Sequence, residues 1–392
     1  MKFFIVAGEH SGDQLGFKLM RALKQQLGDN AVFEGVGGEA MIGEGLQSLF
    51  PLSDIAVMGI VPVVRRLPWL LARIAQTAQA AVEGRNDVLI LIDSPDFTHR
   101  VAARVRRLQP DLPVVDYVSP TVWAWRPGRA KKMRAHIDHV LALLPFEPDA
   151  HRRLGGPECT YVGHPLIERL DELRPDANEA ARRDAAPPRV LVMPGSRRSE
   201  IDRFMPDFGA ALALVAARTG GVEAVIPALP RLEQAIRRHT ESWAVQPRIV
   251  LGEAAKLAAF RTARAALCKS GTGTLELALS GVPMVVAYKM GRLEYMLRFL
   301  VTVPSIVLPN LVLGSRAIPE FLQQACTPDA LARALLPLLP DGAARATQIA
   351  ALSRLDGLMQ LAAGDTPSAK AARIVIATAR RGNLLHRTSV AY

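Results

Sequence analysis

Short apolar runs, each ending on glycine, proline or an acidic turn, recur along this chain in two series. Lys2 to Ala7 runs into Gly8-Glu9-His10-Ser11-Gly12-Asp13 before the amphipathic stretch Leu15 to Leu27. Ala31 to Val36 precedes Gly37-Gly38, Val88 to Ile92 precedes Asp93-Ser94-Pro95-Asp96, Val114 to Val118 precedes Ser119-Pro120, and Val140 to Leu144 precedes Pro145. Continuous apolar runs of this length suit strands buried on both faces of a parallel sheet, so the pattern predicts a doubly wound α/β unit. Asp171 to Arg189 is charged and proline-bearing and reads as a linker. A second series follows. Val190 to Met193 precedes Pro194-Gly195-Ser196-Arg197, Ala224 to Ile226 precedes Pro227, Arg248 to Leu251 is a further strand, and Ala265 to Cys268 leads into Ser270-Gly271-Thr272-Gly273-Thr274 before Pro283 to Tyr288. From Pro328 to about Ala379 the pattern is helical and rich in Ala and Leu. Ligands of such sheets bind at the carboxyl ends of strands, which makes the cleft between the two halves the expected site.

Composition limits the partners. With 48 Lys+Arg against 37 Asp+Glu the formal charge is +11, which favours nucleic acid, nucleotide phosphates or an acidic membrane surface. Only nine of the cations are lysines; arginine's planar fork suits phosphate, and a biased genome composition explains the excess equally well. Aromatics at 5% argue against stacking on single-stranded nucleic acid. Cys159, Cys268 and Cys326 form no CxxC pair and have no histidine at zinc spacing, and no Asp-x-Asp suggests a metal holding a diphosphate. The N-terminal apolar run is too short for a signal peptide, and no apolar stretch is long enough to span a bilayer, so the expectation is a cytoplasmic or peripheral protein without a metal.

Several turns carry candidate chemistry. Gly8, Glu9, Ser11, Gly12 and Asp13 make a glycine-rich first turn that lacks the spacing of a dinucleotide or P-loop motif. Its two acids would repel a pyrophosphate, so the loop suits a hydroxyl-rich part of a substrate. Asp93, at the mouth of the first sheet, is a candidate general base if burial raises its pKa, or else a turn or helix-capping residue. Ser196 can cap a helix while Arg197 clamps a diphosphate. Ser270, Gly271, Thr272, Gly273 and Thr274 place two glycines and three hydroxyls at a helix start, where they can cradle phosphate oxygens. One turn later Glu276 can accept from both hydroxyls of a ribose.

Val57 to Ile74 interleaves apolar residues at helical spacing with Arg65, Arg66 and Arg73. It suits either an acidic leaflet and acyl chains or a core helix with an arginine-bearing face, and Pro62 and Pro68 argue against one unbroken helix. Trp123 and Trp125 sit in a proline-flanked loop followed by Arg129, Lys131, Lys132 and Arg134, which fits sugar or acyl packing, a membrane surface, or packing between domains. His136, His139 and His164 form no metal-binding pattern.

Taken in order, these strings resemble the lipid A disaccharide synthase family. They are Gly8 to Asp13, Ala56-Val57-Met58-Gly59-Ile60-Val61, Ile92 to Phe97, Tyr117 to Arg126, Pro194 to Arg197, Ser270 to Glu276 and Leu308-Pro309-Asn310-Leu311. The resemblance implies a GT-B glycosyltransferase: two Rossmann-like α/β domains facing across a cleft, with C-terminal helices crossing back to the first. Its expected boundaries are 1–170 for an acceptor and membrane-facing domain, 171–345 for a UDP-sugar donor domain and 346–392 for the returning helices. The implied reaction joins UDP-2,3-diacylglucosamine to 2,3-diacylglucosamine 1-phosphate by a single inverting displacement, releasing UDP and forming a β-1,6 disaccharide, with no cofactor and no metal. Asp93 becomes the base. Ser196, Arg197, Ser270, Gly271, Thr272, Gly273 and Thr274 hold the departing UDP, Glu276 the ribose, and Asn310 orients donor sugar or diphosphate. Doubly acylated substrates imply peripheral work at the inner face of the inner membrane, with Val61, Val63, Val64, Leu67, Leu70 and Leu71 meeting membrane or acyl chains. A homodimer is compatible with the family. Nucleic acid is not an expected partner. The competing readings are a UDP-sugar 2-epimerase on the same scaffold and a basic peripheral membrane or nucleic-acid-binding protein.

Overall fold

The computed structural model describes residues 1–56, 66–290 and 303–389. The chain divides into two compact units, one of Met1–Pro165 with Leu361–Tyr392 and one of Leu166–Gln360.

In the first unit seven strands, β1 (Lys2–Ala7), β2 (Val32–Val36), β3 (Gln47–Ser48), β4 (Val88–Ile92), β5 (Val114–Tyr117), β6 (His139–Ala142) and β7 (Glu158–Tyr161), form a sheet in the order β3-β2-β1-β4-β5-β6-β7. Every pairing is parallel. The order reverses at β1 and β4, the topological switch at which such sheets bind ligands. Ala7 pairs with Ile92 and Ile92 with Tyr117, so Gly8, Asp93 and Val118 leave the sheet together at one edge. Helices α1 (His10–Leu27), α2 (Glu39–Gly43), α3 (Leu67–Glu83) and α4 (Pro95–Leu108) follow their strands. Leu19, Met20 and Leu23 of α1 pack on Phe3, Ile5 and Ile90, while Ile74, Ala78, Val101 and Val105 pack with Phe4, Val6, Leu89 and Leu91 on the other face. That two-sided burial is why the strands read as unbroken apolar runs.

The second unit repeats the plan with β8 (Arg189–Met193), β9 (Glu223–Ala228), β10 (Arg248–Leu251), β11 (Ala265–Lys269), β12 (Met284–Tyr288) and β13 (Glu320–Leu322), ordered β10-β9-β8-β11-β12-β13 and parallel throughout. Asp171 to Arg189 is built into this unit and is not a free linker. Asp176 and Glu179 form a reciprocal capping box on α5 (Ala177–Asp184), and Arg183 donates to the carbonyls of Phe260, Arg261 and Ser280. Helices α6 (Arg198–Thr219), α7 (Glu253–Arg261), α8 (Gly273–Leu279), α9 (Leu308–Leu313) and α10 (Ala343–Met359) also belong here.

Only the last helix, α11 (Pro367–Ser389), returns to the first unit, where Ala371, Ala372, Val375 and Ile376 join the core around Leu19 and Leu23. The break therefore lies near Gln360 rather than at 345, because α10 is tied to its own unit: Arg345 donates to the carbonyls of Arg264 and Leu338, and Gln348 accepts from the Met284 amide.

Candidate active site

Four strands of the second unit, β8 to β11, end on one cavity of about 530 Å³. Pro194 to Arg197 leaves β8 along its wall. Gly195 has φ +124°, and a Cβ there would collide with the Glu200 carboxylate, so the turn needs glycine. Glu200 organises this loop: its Oε2 accepts from the amides of Ser196 at 2.8 Å and Arg197 at 3.1 Å, and its Oε1 accepts from Lys269 Nζ at 2.9 Å. Burial pushes the Glu200 carboxyl up, but the Lys269 ammonium, the Ser196 amide and the Arg197 charge outweigh it and hold the pKa low. The helix cap expected of Ser196 is thus made by Glu200, with Arg197 at the N-cap position. The side chains of Ser196 and Arg197 are left exposed at the cavity.

Across the cavity the turn 270–274 behaves differently from the expectation of three phosphate-facing hydroxyls. Ser270 is buried and donates to the Ile306 carbonyl at 2.6 Å, and buried Thr274 donates to the Gly271 carbonyl at 2.7 Å. Thr274 closes the turn and Ser270 ties it to the segment at Ile306, so neither hydroxyl is turned to the cavity. Thr272 is exposed and lines the cavity with Gly271, Gly273 and Glu276. Glu276 accepts from Lys256 Nζ at 2.7 Å, and Lys256 lies 3.6 Å from Glu253. The cavity is therefore polarised. Among the described residues one end carries Arg197 and Lys269 around the Glu200 carboxylate, and at the other Glu253 and Glu276 flank the Lys256 ammonium, with Arg169 also pairing with Glu253 at 3.1 Å from outside the lining.

Asn310 does not line this cavity. It is 2% exposed, and its carboxamide is satisfied by the backbone of Ile318 and by Ser305. Its place in the Leu-Pro-Asn-Leu string is structural, which corrects the donor-orienting role.

In the first unit Asp93 follows β4 in the left-handed region, with φ +60°, and Ser94 and Val118 beside it have φ +47° and +87°. Three non-glycine residues in this region at one sheet edge are the backbone strain that clusters at functional sites. Burial raises the Asp93 pKa, the Ser94 amide at 2.7 Å opposes this, and the charge of Asp116 adds to it. Gly8 donates its amide to the Ile92 carbonyl at 3.2 Å, and a Cβ on it would collide with Ser94, so the glycine turn and the Asp93 turn are packed face to face. Glu9 forms the N-cap position of α1 and lies 3.5 Å from the Ser94 hydroxyl, while Ser11 is exposed. Gly12 is buried against β4. Asp13 is 1% exposed, and its carboxylate accepts from the amides of Gly38, Ala40 and Met41 at 2.8 to 3.1 Å. It ties α1 to the start of α2 and is not part of a substrate loop.

Leu67, Trp69 and Leu71 are exposed at the start of α3, with Pro68 in its first turn; Leu70 is half-buried against the core. Val61, Val63 and Val64, and the 57–61 part of the family string, lie outside the described residues. Trp123 donates from its indole to Glu147 Oε1 at 3.1 Å and meets the Phe146 ring edge-on, so it packs within the unit. His139 bonds Thr160 and His151 bonds Ser119, each at 2.9 Å.

Glu200, Lys269, Lys256 and Glu147 are the groups that sequence reasoning missed. Glu200 had a signal, since it lies three residues after Arg197 at a helix start, where a capping-box acid belongs. Lys256 and Lys269 are single residues whose role exists only through the fold.

Two Rossmann-like units, the second holding a polarised cavity at its strand ends, give the chain the GT-B fold. The solved glycosyltransferase of kitacinnamycin shares this fold, with a TM-score of 0.62 and 17% identity over 96% of this chain and 98% of that one. So does UDP-GlcNAc 2-epimerase from Neisseria meningitidis, at 0.56 and 12% over 97% and 100%. The sequence model described as Lipid-A-disaccharide synthetase matches residues 3–372. A Lipid-A-disaccharide synthase of Nitrobacter hamburgensis is 55% identical over 379 residues, 96% of this chain and 95% of that protein. One of Bradyrhizobium diazoefficiens is 54% identical over 97% of each. The chain belongs to the lipid-A-disaccharide synthase family. Its likeness to the epimerase extends to the fold alone.

Proposed function

We propose that the protein transfers the diacylglucosaminyl group of UDP-2,3-diacylglucosamine to the 6-hydroxyl of 2,3-diacylglucosamine 1-phosphate. The acceptor oxygen attacks the anomeric carbon and its proton passes to the Asp93 carboxylate. The bond from that carbon to the β-phosphate oxygen breaks with its electron pair going to UDP, so the α-linked donor gives a β-1,6 product in one inverting step. The polarised cavity carries this reading. Its cationic end suits a diphosphate, with Arg197, the exposed Thr272 and the turn at Gly271 meeting the charge that grows on the leaving group, and its acidic end suits ribose hydroxyls at Glu276. In this reading protein cations take the part that a metal plays in other transferases. The raised pKa of Asp93 supports its use as a base.

Both substrates carry acyl chains, and desorbing each buried methylene costs about 0.8 kcal/mol, which favours catalysis at the cytoplasmic face of a membrane. No described helix is long and apolar enough to cross one, and Leu67, Trp69 and Leu71 offer a shallow apolar contact.

Purified protein mixed with both substrates tests this. UDP release that requires both, with a β-configured disaccharide by proton NMR, is expected. Release independent of the acceptor, or an α-linked product, overturns it.

A further inference from the structure

Lys269 closes β11 and its side chain turns back beneath the following loop: a Cβ on Gly271 would sit 3.3 Å from its Cε and 3.4 Å from its Nζ. Its ammonium donates to Glu200 Oε1 at 2.9 Å, while the other oxygen of Glu200 gathers the amides of Ser196 and Arg197. Lys269 therefore lies between the two loops that face the cavity and lines the cavity itself. A lysine ammonium has three N–H donors, and Glu200 accepts one of them. Glu200 is also approached by the Arg197 guanidinium at 3.4 Å, so two cations meet this carboxylate. The side chain of Lys269 is only one-fifth exposed, which keeps its charge from being screened as an open surface lysine would be.

We infer that Lys269 binds the diphosphate of the nucleotide sugar from beneath the Gly271 turn, and that Glu200 is the positioning residue that aims it. This rests on the reading of the cavity as a UDP-sugar site. In that role the ammonium sits where the loops at 194–197 and 270–274 converge, and it adds a compact charge to the planar fork of Arg197. Glu200 fixes both loops relative to that charge, because one carboxylate holds the amides of one loop and the lysine that underlies the other.

Calorimetric titration of UDP and of uridine separates the possibilities. Lys269→Met is expected to weaken UDP at least tenfold while leaving uridine affinity unchanged, and Lys269→Arg to recover part of the loss. The double variant Glu200→Gln/Lys269→Met removes both members of the buried pair and leaves only the exposed Arg197 without its carboxylate, and it is expected to stay as weak for UDP as Lys269→Met. If Lys269→Met binds UDP as wild type does, or if the double variant regains wild-type UDP affinity, Lys269 merely neutralises Glu200 and the inference is overturned while the UDP-sugar reading stands. If the wild-type protein binds no UDP, that reading falls and this inference with it.

Discussion

The Asn310 carboxamide and the Ile318 backbone exchange two hydrogen bonds, Nδ2 donating to the carbonyl and Oδ1 accepting from the amide, each at 2.9 Å. They close the chain between α9 and β13 and satisfy two buried backbone groups at once. Asn310→Ala leaves both without this partner, a cost of about 2–6 kcal/mol for two buried polar groups. Thermal denaturation is expected to show a clear drop in Tm, with UDP affinity of the folded fraction near wild type. A normal Tm with lost UDP affinity would return Asn310 to the donor site.

Asp93 combines a left-handed backbone with a pKa raised by burial. Removing the base while keeping the shape, as Asp93→Asn does, is expected to lower kcat by about 10²–10⁴. Asparagine tolerates the left-handed region and its Oδ1 can still accept from the Ser94 amide. Activity of the wild type falls as pH drops through the raised pKa, so the acid limb of kcat/KM lies above the ordinary aspartate value of 3.8. The stability effect has the opposite sign. A carboxyl whose folded pKa is raised favours the protonated fold, so ionisation above that pKa costs stability. Asp93→Asn should then denature at or above the wild-type Tm at pH 7, with the gap closing in acid. A lower Tm at pH 7 and a closing activity gap in refolded protein would make Asp93 a structural residue.

The strand plan and the chemical turns were legible because both are local. Unbroken apolar runs report burial on two faces, and glycine at 195 reports a turn that no Cβ can enter. Which hydroxyl faces the cavity was not legible. Ser270, Thr272 and Thr274 read alike as capping-type residues, but the partner of Ser270 is the carbonyl of Ile306, a distant part of the chain. Asp13 reads as a member of the substrate loop for the same reason: its partners at Gly38 to Met41 belong to the next βα turn. The linker reading failed where charge concealed structure, since the capping box of Asp176 and Glu179 and the Arg183 hydrogen bonds use the very residues that looked solvated. The domain that the C-terminal helices join was also set by packing: the small residues of α11 fit against α1, and those of α10 do not.

Glu147 is buried with both oxygens accepting hydrogen bonds, from the Trp123 indole and the Leu144 amide. Burial pushes its pKa up to about 7, against the smaller downward pull of those donors. Since the folded value exceeds the unfolded 4.5, the stabilising contribution of the protonated form is complete below about 4.5 and is lost as pH rises to about 7 and beyond, by roughly 3 kcal/mol in all. Glu147→Gln cannot ionise. Relative to it, the wild type is expected to lose Tm between about pH 4.5 and 7 and to level off above. Trp123 fluorescence of the folded protein should titrate around pH 7 in wild type and stay flat in the variant; parallel Tm curves for the two proteins would refute it.

The start of α3 leaves Leu67, Trp69 and Leu71 at 41%, 49% and 47% exposure. Beside them Arg73 stacks on the Trp69 ring at 4.3 Å and the Phe50 ring at 4.5 Å while pairing with Asp54 at 2.5 Å, so this arginine fixes the tryptophan. Leu67 and Leu71, four apart on one face of the helix, are suited to shallow insertion in a bilayer, with the indole pinned by Arg73 on another face, and inserting each such leucine is worth about 1.5–3 kcal/mol. Leu67→Ser/Leu71→Ser is expected to reduce association with phosphatidylglycerol-containing vesicles at least tenfold in a flotation assay. Turnover of a short-chain, water-soluble substrate pair should be unaffected and Tm nearly constant, because neither leucine supports the core. Equal flotation of variant and wild type would sink the membrane role of this helix end. Retention of binding by neutral vesicles, together with loss in the variant, would show that apolar insertion outweighs the net charge of +11.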